Sequence, residues 1–205
     1  MNDNQNLNQI FSMGRKKVLL FVFDGFADWE PAYALPEINK SGSHQVLTFA
    51  LTKEPVQSMG GLRVIPDYCL EDIGEEDTAL LILPGGTAWE EKKLREITKV
   101  VQKFNQSKIP IAAICAATTI LADSGLLDRI CHTSNAKTYL QSNSPAYRGG
   151  EHYKDQPAVF DSNIITASGT APIEFAREIL RLLKIFNEKD LDLWFGLFKN
   201  GTWEW

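Results

Sequence analysis

The sequence predicts an α/β domain built on a mostly parallel sheet with helices on both faces. Apolar runs of strand length alternate along the chain with segments of helical period. The runs are continuous and lack a period of two, which is typical of strands covered on both sides. In such folds the functional residues lie at the carboxyl ends of the strands.

The elements of the first half can be assigned in order. Residues 16–24 (KKVLLFVFD) form a predicted strand. They are followed by a short helix over 31–42, with Pro31 suited to its first turn and Gly42 to its end. Two further buried strands, a glycine turn with a short strand, and an amphipathic helix complete this half. The two buried strands are predicted over 45–52 and 78–86, and the second of them ends in a glycine loop. The turn and its short strand cover 59–70, and the helix covers 87–106.

The second half continues the alternation. A continuous apolar strand over 109–115 runs directly into a helix over 117–125. A strand-like segment over 129–134 and a helix over 136–141 follow. Two short strands are predicted over 157–161 and 163–168, and a long amphipathic helix over 172–190. The long helix places Phe175, Ile179, Leu182, Leu183 and Phe186 on one face.

Composition narrows the class of protein. With 205 residues, 44% hydrophobic and 23% charged, the chain fits one domain, predicted over 15–189. A net charge of −5 without a basic cluster argues against nucleic-acid binding. The apolar runs are too short to cross a membrane, and residues 1–14 lack a secretory pattern and are predicted to be a disordered leader. Three cysteines without metal spacing predict a reducing, cytoplasmic setting, with no metal and no cofactor.

Cys115 stands where a strand turns sharply into a helix. Such a turn, known as a nucleophile elbow, exposes a nucleophile and needs small residues two positions before and two after it, here Ala113 and Ala117. The helix N-terminus favours a thiolate, and the Ala116 N–H can face an oxyanion. Gly86 in the loop after the third buried strand could supply a second N–H donor. The plainer alternative is a buried free cysteine, which is how Cys69 and Cys131 are interpreted.

Glu30 is the acidic candidate for this site. It follows the first strand beside Trp29 and Pro31, so partial burial is expected. A carboxyl group there can donate to a thiolate or act as a base. The alternative, shared with Asp24 and Asp28, is a carboxylate that stabilises a helix start.

The ordered set of motifs DGFADWE, LPGG, AAICAATTILADSGLLD, TSNAK and ITASGTAPIEFAREIL resembles the ThiJ/PfpI superfamily, which is class I glutamine amidotransferase-like and includes the PfpI intracellular protease. The resemblance runs from about residue 17 to residue 183. It implies a flavodoxin-like three-layer sandwich that assembles as a homodimer or larger homo-oligomer. It also implies Cys115 as nucleophile, Glu30 as its hydrogen-bond partner, and Gly86 and Ala116 as oxyanion donors.

Two departures from the family pattern concern histidine. Proteolytic members place a histidine directly after the nucleophile, where this chain has Ala116. Other members carry a histidine in the segment after the elbow helix, at the position of Asn135. His132 lies three residues earlier and would face the other side of a strand, and His152 falls in a loop. Asn135, His132 and His152 are therefore kept as possible site residues, and a full Cys–His–acid triad is not expected.

Three functions remain open on the sequence. The first is a cysteine hydrolase, protease-like or amidotransferase-like, acting on a small-molecule or peptide substrate. The second is a glyoxalase or deglycase acting on small reactive carbonyls. The third is a redox sensor or stress-response protein in which Cys115 is oxidised without turnover. True glutamine amidotransferase activity would need a partner chain.

The aromatic segment over 190–205 contains Trp194, Phe195, Phe198, Trp203 and Trp205. It is expected to pack on its own domain as an amphipathic helix. The alternative is an apolar strip that builds an oligomer interface or shapes the rim of the site.

Overall fold

The computed structural model describes residues 14–203. In chain order the strands are β1 (Lys16–Phe21), β2 (His44–Ala50), β3 (Val56–Gln57), β4 (Arg63–Val64), β5 (Tyr68–Cys69), β6 (Thr78–Leu83), β7 (Ile111–Ile114), β8 (Ala158–Asp161) and β9 (Ile164–Ala167). Seven of them form one sheet in the order β5–β2–β1–β6–β7–β9–β8, and β3 and β4 form a separate hairpin. Every neighbouring pair of the large sheet is parallel except β8 and β9.

The helices are α1 (Ala34–Lys40), α2 (Thr87–Glu90), α3 (Ile97–Gln106), α4 (Thr118–Asp123), α5 (Lys137–Asn143), α6 (Pro172–Leu182) and α7 (Glu188–Asn200). Helices α1 and α6 pack together, and α7 packs on α6. Helices α3, α4 and α5 pack in sequence on the other side of β7. The predicted three-layer α/β sandwich with a mostly parallel, flavodoxin-like sheet is confirmed.

The strand order reverses between β1 and β6. The chain runs outward from β1 to β2 and then returns to place β6 on the other side of β1. A crevice opens where the connections diverge, at the carboxyl ends of these two strands. The loop after β1 carries Glu30, and the loop after β6 carries Gly85 and Gly86.

The core beneath this crevice is aromatic. Phe21, Phe23, Phe49 and Trp89 form a chain of ring contacts with centroids 5.1–5.8 Å apart. The indole Nε1–H of Trp89 donates to the Pro84 carbonyl oxygen at 2.8 Å. Helix α2 is therefore fixed to the glycine loop that precedes it.

Two predicted helices end earlier than their apolar patterns. The helix predicted over 87–106 is divided into α2 and α3 by a turn in which Lys92 has φ +57°. The helix predicted over 172–190 ends at Leu182, and Lys184 has φ +54°. Phe186 therefore does not lie on the α6 face. Residues in the left-handed region end a helix because its backbone hydrogen bonds cannot continue through them.

The strand predicted over 129–134 is also wrong. In the structure this segment makes only an isolated bridge, between His132 and Tyr153. The sheet position beside β7 is occupied by β9 instead. The segment therefore runs past the sheet and delivers Ser134 and Asn135 to its carboxyl edge.

The aromatic segment begins as helix α7 at Glu188. The Asn187 side chain accepts from the Asp190 N–H, which caps the helix. Leu191 and Trp194 are buried, whereas Trp203 is 78% exposed. The predicted leader, up to residue 13, and Trp205 lie outside the described residues. Within residues 14–203 no helix is both long and apolar enough to cross a bilayer.

Candidate active site

Cys115 occupies a strained turn directly after β7. A short 3-10 turn over Cys115–Ala117 leads from Ile114 into α4, and Cys115 has φ +57°. A residue with a Cβ in this region costs roughly 1–2 kcal/mol. Ala113 and Ala117 are fully buried, and Thr118 Oγ1 donates to the Cys115 carbonyl oxygen at 2.7 Å. The small neighbours and this hydrogen bond hold the turn that the sequence predicts.

Glu30 lies in the crevice and is only 1% exposed. The Gly85 N–H donates to its Oε2 at 2.5 Å, and the Ala27 N–H donates to the Gly85 carbonyl oxygen at 3.0 Å. These two bonds join the loops after β1 and β6. Burial raises the pKa of Glu30 to about 7, against the opposing effect of hydrogen bonds from Gly85 and Cys115. The carboxyl group can therefore both hold and release a proton near neutral pH.

The Cys115 thiol does not have the low pKa that its place at a helix start suggested. Burial and the Glu30 charge raise the pKa of Cys115, while N–H donors from Asn135 and Ala116 lower it. The contribution of Glu30 disappears when its carboxyl is protonated. Each of the two groups therefore affects the pKa of the other.

Asn135 contacts the sulfur directly. Its Nδ2 lies 3.4 Å from Cys115 Sγ, and its Oδ1 accepts from the Gly169 N–H at 2.9 Å. Asn135 is therefore placed between the loop that holds Cys115 and the loop after β9. The structure brings it to the thiol, as it does Glu30.

Glycines form the walls around the thiol. A Cβ on Gly85 would lie 2.7 Å from Cys115 Cβ and 2.9 Å from both Glu30 oxygens. A Cβ on Gly169 would lie 2.7 Å from Cys115 Sγ. Both positions are too close for any side chain. Gly169 was not among the residues predicted for the site, although its place in a loop after a predicted strand is a usable signal.

Gly86 and Ala116 directly follow Gly85 and Cys115, the two residues that approach each other in the crevice. Gly86 has φ +152°, and a Cβ there would lie 2.7 Å from the Gly25 carbonyl oxygen. The Ala116 N–H faces the Cys115 sulfur and lowers the thiol pKa. Only glycine fits at residue 86. The direction of the Ala116 N–H follows from the sharp turn at Cys115.

The two possible histidines lie elsewhere. His132 is fully buried, with Nδ1 2.8 Å from the Ile130 carbonyl oxygen and Nε2 2.6 Å from Tyr147 Oη. The carbonyl requires a proton on Nδ1, so Nε2 accepts from Tyr147 and the ring is neutral, in keeping with a pKa lowered by burial. His152 lies near Asp161, whose pKa is lowered mainly by the hydrogen bond from the Cys131 N–H and by that from the Ser162 hydroxyl, and least by the charge of His152. Among residues 14–203 no histidine hydrogen bonds to Cys115.

The carboxylates Asp24 and Asp28 do not stabilise a helix start. Asp24 Oδ1 accepts from the Gln57 N–H at 2.8 Å, and Asp28 Oδ2 accepts from Ser58 Oγ at 2.7 Å. Both therefore attach the β3–β4 hairpin to the loop that carries Glu30. This corrects the expectation from sequence.

The other two cysteines are separate from the site. Cys69 Sγ donates to Asp72 Oδ2 at 3.2 Å, and the Cys131 N–H donates to Asp161 Oδ2 at 2.7 Å. In the described part of the chain no three His, Cys, Asp or Glu side chains converge as metal ligands would.

A polar bridge that was not predicted lies beside the site. The Tyr139 hydroxyl donates to Glu90 Oε1 at 2.7 Å. The bond joins α5, which follows Asn135, to α2, which follows Gly86. No motif in the sequence marked either residue.

Comparison with known proteins supports the resemblance stated above. A model of the DJ-1/PfpI family matches residues 16–182. The uncharacterized protease YoaZ of Bacillus subtilis is 40% identical, over 91% of this chain and 92% of its own length. The glutathione-independent glyoxalase DJR-1.2 of Caenorhabditis elegans is 31% identical, over 70% of this chain and 75% of its own length.

A solved structure is also similar. The thiJ/pfpI family protein from Bacillus anthracis superposes with a TM-score of 0.85 at 40% sequence identity. The match covers 92% of each chain. The similarity thus extends over most of the length of both chains.

Proposed function

The chain belongs to the DJ-1/PfpI family, and on that premise we propose that it is a cysteine-dependent enzyme acting on small reactive carbonyl compounds, with 2-oxoaldehydes as the probe class. The observation that carries the proposal is the pairing of Cys115 with a single proton carrier, Glu30. The pKa of this carboxyl, about 7, suits proton transfer in both directions at neutral pH. The name of the glyoxalase relative supports the substrate class.

The first step is addition of the thiol to the aldehyde carbon. A bond forms between Cys115 Sγ and that carbon, and the thiol proton passes through Glu30 to the carbonyl oxygen. The N–H groups of Gly86 and Ala116 stabilise the negative charge on this oxygen while it develops. The product is a hemithioacetal bound to Cys115.

The second step needs no external oxidant. Glu30 removes the proton from the former aldehyde carbon and returns it to the neighbouring ketone carbon, while the hydroxyl proton of the hemithioacetal passes to the ketone oxygen. The aldehyde carbon is thereby oxidised to a thioester while the ketone carbon is reduced to an alcohol. Water then hydrolyses the thioester, which releases a 2-hydroxy acid and restores the Cys115 thiol.

Peptide hydrolysis is the second candidate, because YoaZ carries a protease name. Cleavage of an amide requires an acid that protonates the departing amine. In this site that acid would have to be Glu30, which also receives the thiol proton. Asn135, at the position where other members carry a histidine, cannot donate a proton in this way.

The test compares methylglyoxal, glutamine and fluorogenic peptides as substrates of the purified chain. We expect turnover of methylglyoxal to lactate, lost in Cys115→Ala and strongly reduced in Glu30→Gln. Cys69→Ala is the matched control and should retain activity. Turnover of peptides alone would favour the hydrolase, and accumulation of oxidised Cys115 without any turnover would favour the redox sensor.

A further inference from the structure

Two helices that begin beside the thiol are joined to each other at a distance from it. Helix α2 starts at its N-cap Gly86, and α5 starts shortly after Asn135. We propose that Tyr139 is a positioning residue for the reaction at the thiol, which acts by holding α2, and with it Gly86, against the turn of Cys115. The proposal rests on the proposed function for the role of the Gly86 N–H as an oxyanion donor.

Helix α2 is too short to fix its own position. It has four residues, and no side chain caps its N-terminus at Gly86. A single helical turn is unstable by itself, so the place of α2 depends on contacts with the rest of the domain. The helix packs against the turn over Cys115–Ala117 and against α4. A shift of α2 therefore changes how the Gly86 N–H meets a carbonyl oxygen held at Cys115.

Tyr139 holds the C-terminal end of α2. Its hydroxyl donates to Oε1 of Glu90, the last residue of the helix, at 2.7 Å. Within residues 14–203 this is the only hydrogen bond from a side chain of α2 to another helix, since the Trp89 indole bonds to Pro84. Burial, the bond to Glu90, and the charges of Glu90 and Cys115 raise the pKa of Tyr139, so the hydroxyl remains a donor at neutral pH.

A second link joins α5 to the turn that ends α2. Lys92 Nζ donates to the Asn143 carbonyl oxygen at 2.7 Å and to Asp123 Oδ2 at 2.8 Å. Asn143 Nδ2 in turn donates to the Tyr139 carbonyl oxygen at 3.0 Å, from a position four residues further along α5. The two links therefore attach to neighbouring turns of α5, and together they form a clasp between α2 and α5.

The α5 side of the clasp is supported independently. The Gly169 N–H donates to Asn135 Oδ1 at 2.9 Å, Asn135 Nδ2 lies 3.4 Å from Cys115 Sγ, and α5 packs on α4. Loss of the Tyr139 bond should therefore move α2 and leave Asn135 in place. The expected effect is selective, because the donor at Gly86 shifts while the hydrogen bond from Asn135 to the sulfur remains.

The test separates the binding of a carbonyl oxygen from the reactivity of the sulfur. Iodoacetamide alkylates Cys115 without forming an oxyanion. Acetaldehyde instead adds the thiol across its C=O bond, with sulfur joined to carbon and the thiol proton transferred to oxygen, and it has no neighbouring ketone that would allow further conversion. The affinity for acetaldehyde is measured as protection of Cys115 from iodoacetamide, by site-resolved mass spectrometry.

In Tyr139→Phe we expect the affinity for acetaldehyde to fall at least about tenfold, while the rate and the pH midpoint of alkylation without aldehyde stay as in the wild type. Glu90→Gln keeps an oxygen acceptor for the hydroxyl and should retain the wild-type affinity. Glu90→Ala should reproduce Tyr139→Phe, and the double variant should be no worse than either single variant. Glu91→Ala, an exposed change at the next residue, is the matched control.

Three results would overturn the proposal: an unchanged affinity for acetaldehyde in Tyr139→Phe, an alkylation rate that falls as far as the affinity, or additive effects of Tyr139→Phe and Glu90→Ala. A wild-type chain that forms the adduct but converts no methylglyoxal refutes the proposed function, and the adduct still decides on the clasp. A wild-type chain that forms no adduct refutes both, because Gly86 then holds no carbonyl oxygen.

Discussion

Asn135 presents its amide nitrogen, and not its oxygen, to the sulfur of Cys115. The orientation is fixed because the Gly169 N–H donates to Oδ1 at 2.9 Å, and an amide NH2 group could not accept that bond. Nδ2 must then face Sγ at 3.4 Å. The side chain thus supplies the sulfur with a neutral donor whose direction is set by backbone.

Removal of this donor should raise the pKa of Cys115. In Asn135→Ala we expect the midpoint of Cys115 alkylation to move to higher pH and the rate at pH 7 to fall severalfold, because Asn135 lowers the thiol pKa. Site-resolved mass spectrometry over a pH series measures both. Gln141→Ala, an exposed change on α5, is the control. An unchanged profile in Asn135→Ala would show that the contact is without electrostatic effect.

Glu30 should make the stability of the fold depend on pH. Its pKa is raised from 4.5 to about 7 by burial, so the folded chain binds more protons than the unfolded chain between these values. Its contribution to the unfolding free energy is fully present below about pH 4.5 and is lost as the pH rises through about 7. The loss is on the order of 3 kcal/mol.

In Glu30→Gln this loss should be absent. Urea unfolding at pH 5 and pH 8 measures the difference for wild type and variant. We expect the wild type to lose more stability than Glu30→Gln between the two pH values, whereas the exposed change Glu151→Gln should follow the wild type. Parallel losses in wild type and Glu30→Gln would contradict the assignment.

The glycine wall at residue 169 should not tolerate a methyl group. In Gly169→Ala the new Cβ would lie 2.7 Å from Cys115 Sγ. We expect a lower melting temperature and at least about tenfold slower alkylation of Cys115, since the elbow must shift. Gly74→Ala is the matched control, because its Cβ would meet nothing within 4 Å. An unchanged rate of Cys115 alkylation in Gly169→Ala would mean that the loop moves to accommodate the methyl group.

The C-terminal helix should be essential to the stability of the domain. Trp194 is 2% exposed, and its replacement by alanine is expected to cost about 3–5 kcal/mol of unfolding free energy. Trp203→Ala, at an exposed position, should change it by less than about 0.5 kcal/mol. Denaturant unfolding of the two variants measures both changes. A small loss of unfolding free energy in both variants would show that α7 is loosely attached.

This result bears on how an oligomer should be sought. Truncation after Lys189 would remove Leu191 and Trp194 and expose the side of α6 that they cover. A monomer obtained in that way could reflect damage to the domain itself. The homodimer implied by family resemblance stays a prediction, and light scattering on the full chain tests it directly.

The sequence was sufficient for the sheet and for the sharp turn at Cys115. Continuous apolar runs predicted β1, β6 and β7, and small residues around Cys115 predicted the elbow. The helix ends at Lys92 and Lys184 were missed because neither turn contains glycine or proline. Nothing in the sequence marks a lysine that adopts the left-handed backbone region, and the helical period of apolar residues continues past it.

The chemistry of the site was less accessible from sequence. The helix start beside Cys115 suggested a thiolate, but burial and the Glu30 charge act in the opposite direction. Both come from segments distant in the chain, whose approach depends on the tertiary fold. His132 is a similar case, since its partner Tyr147 follows it by 15 residues and lies beyond α5.

The left-handed backbone of Cys115 gives residue 115 a diagnostic value among relatives. Glycine adopts φ +57° without penalty, so Cys115→Gly would relieve strain while it removes the thiol. Selection for stability alone would therefore favour glycine over cysteine at residue 115. A relative that keeps a cysteine in this turn does so against its own folding preference, and one that carries glycine there has been released from the chemistry.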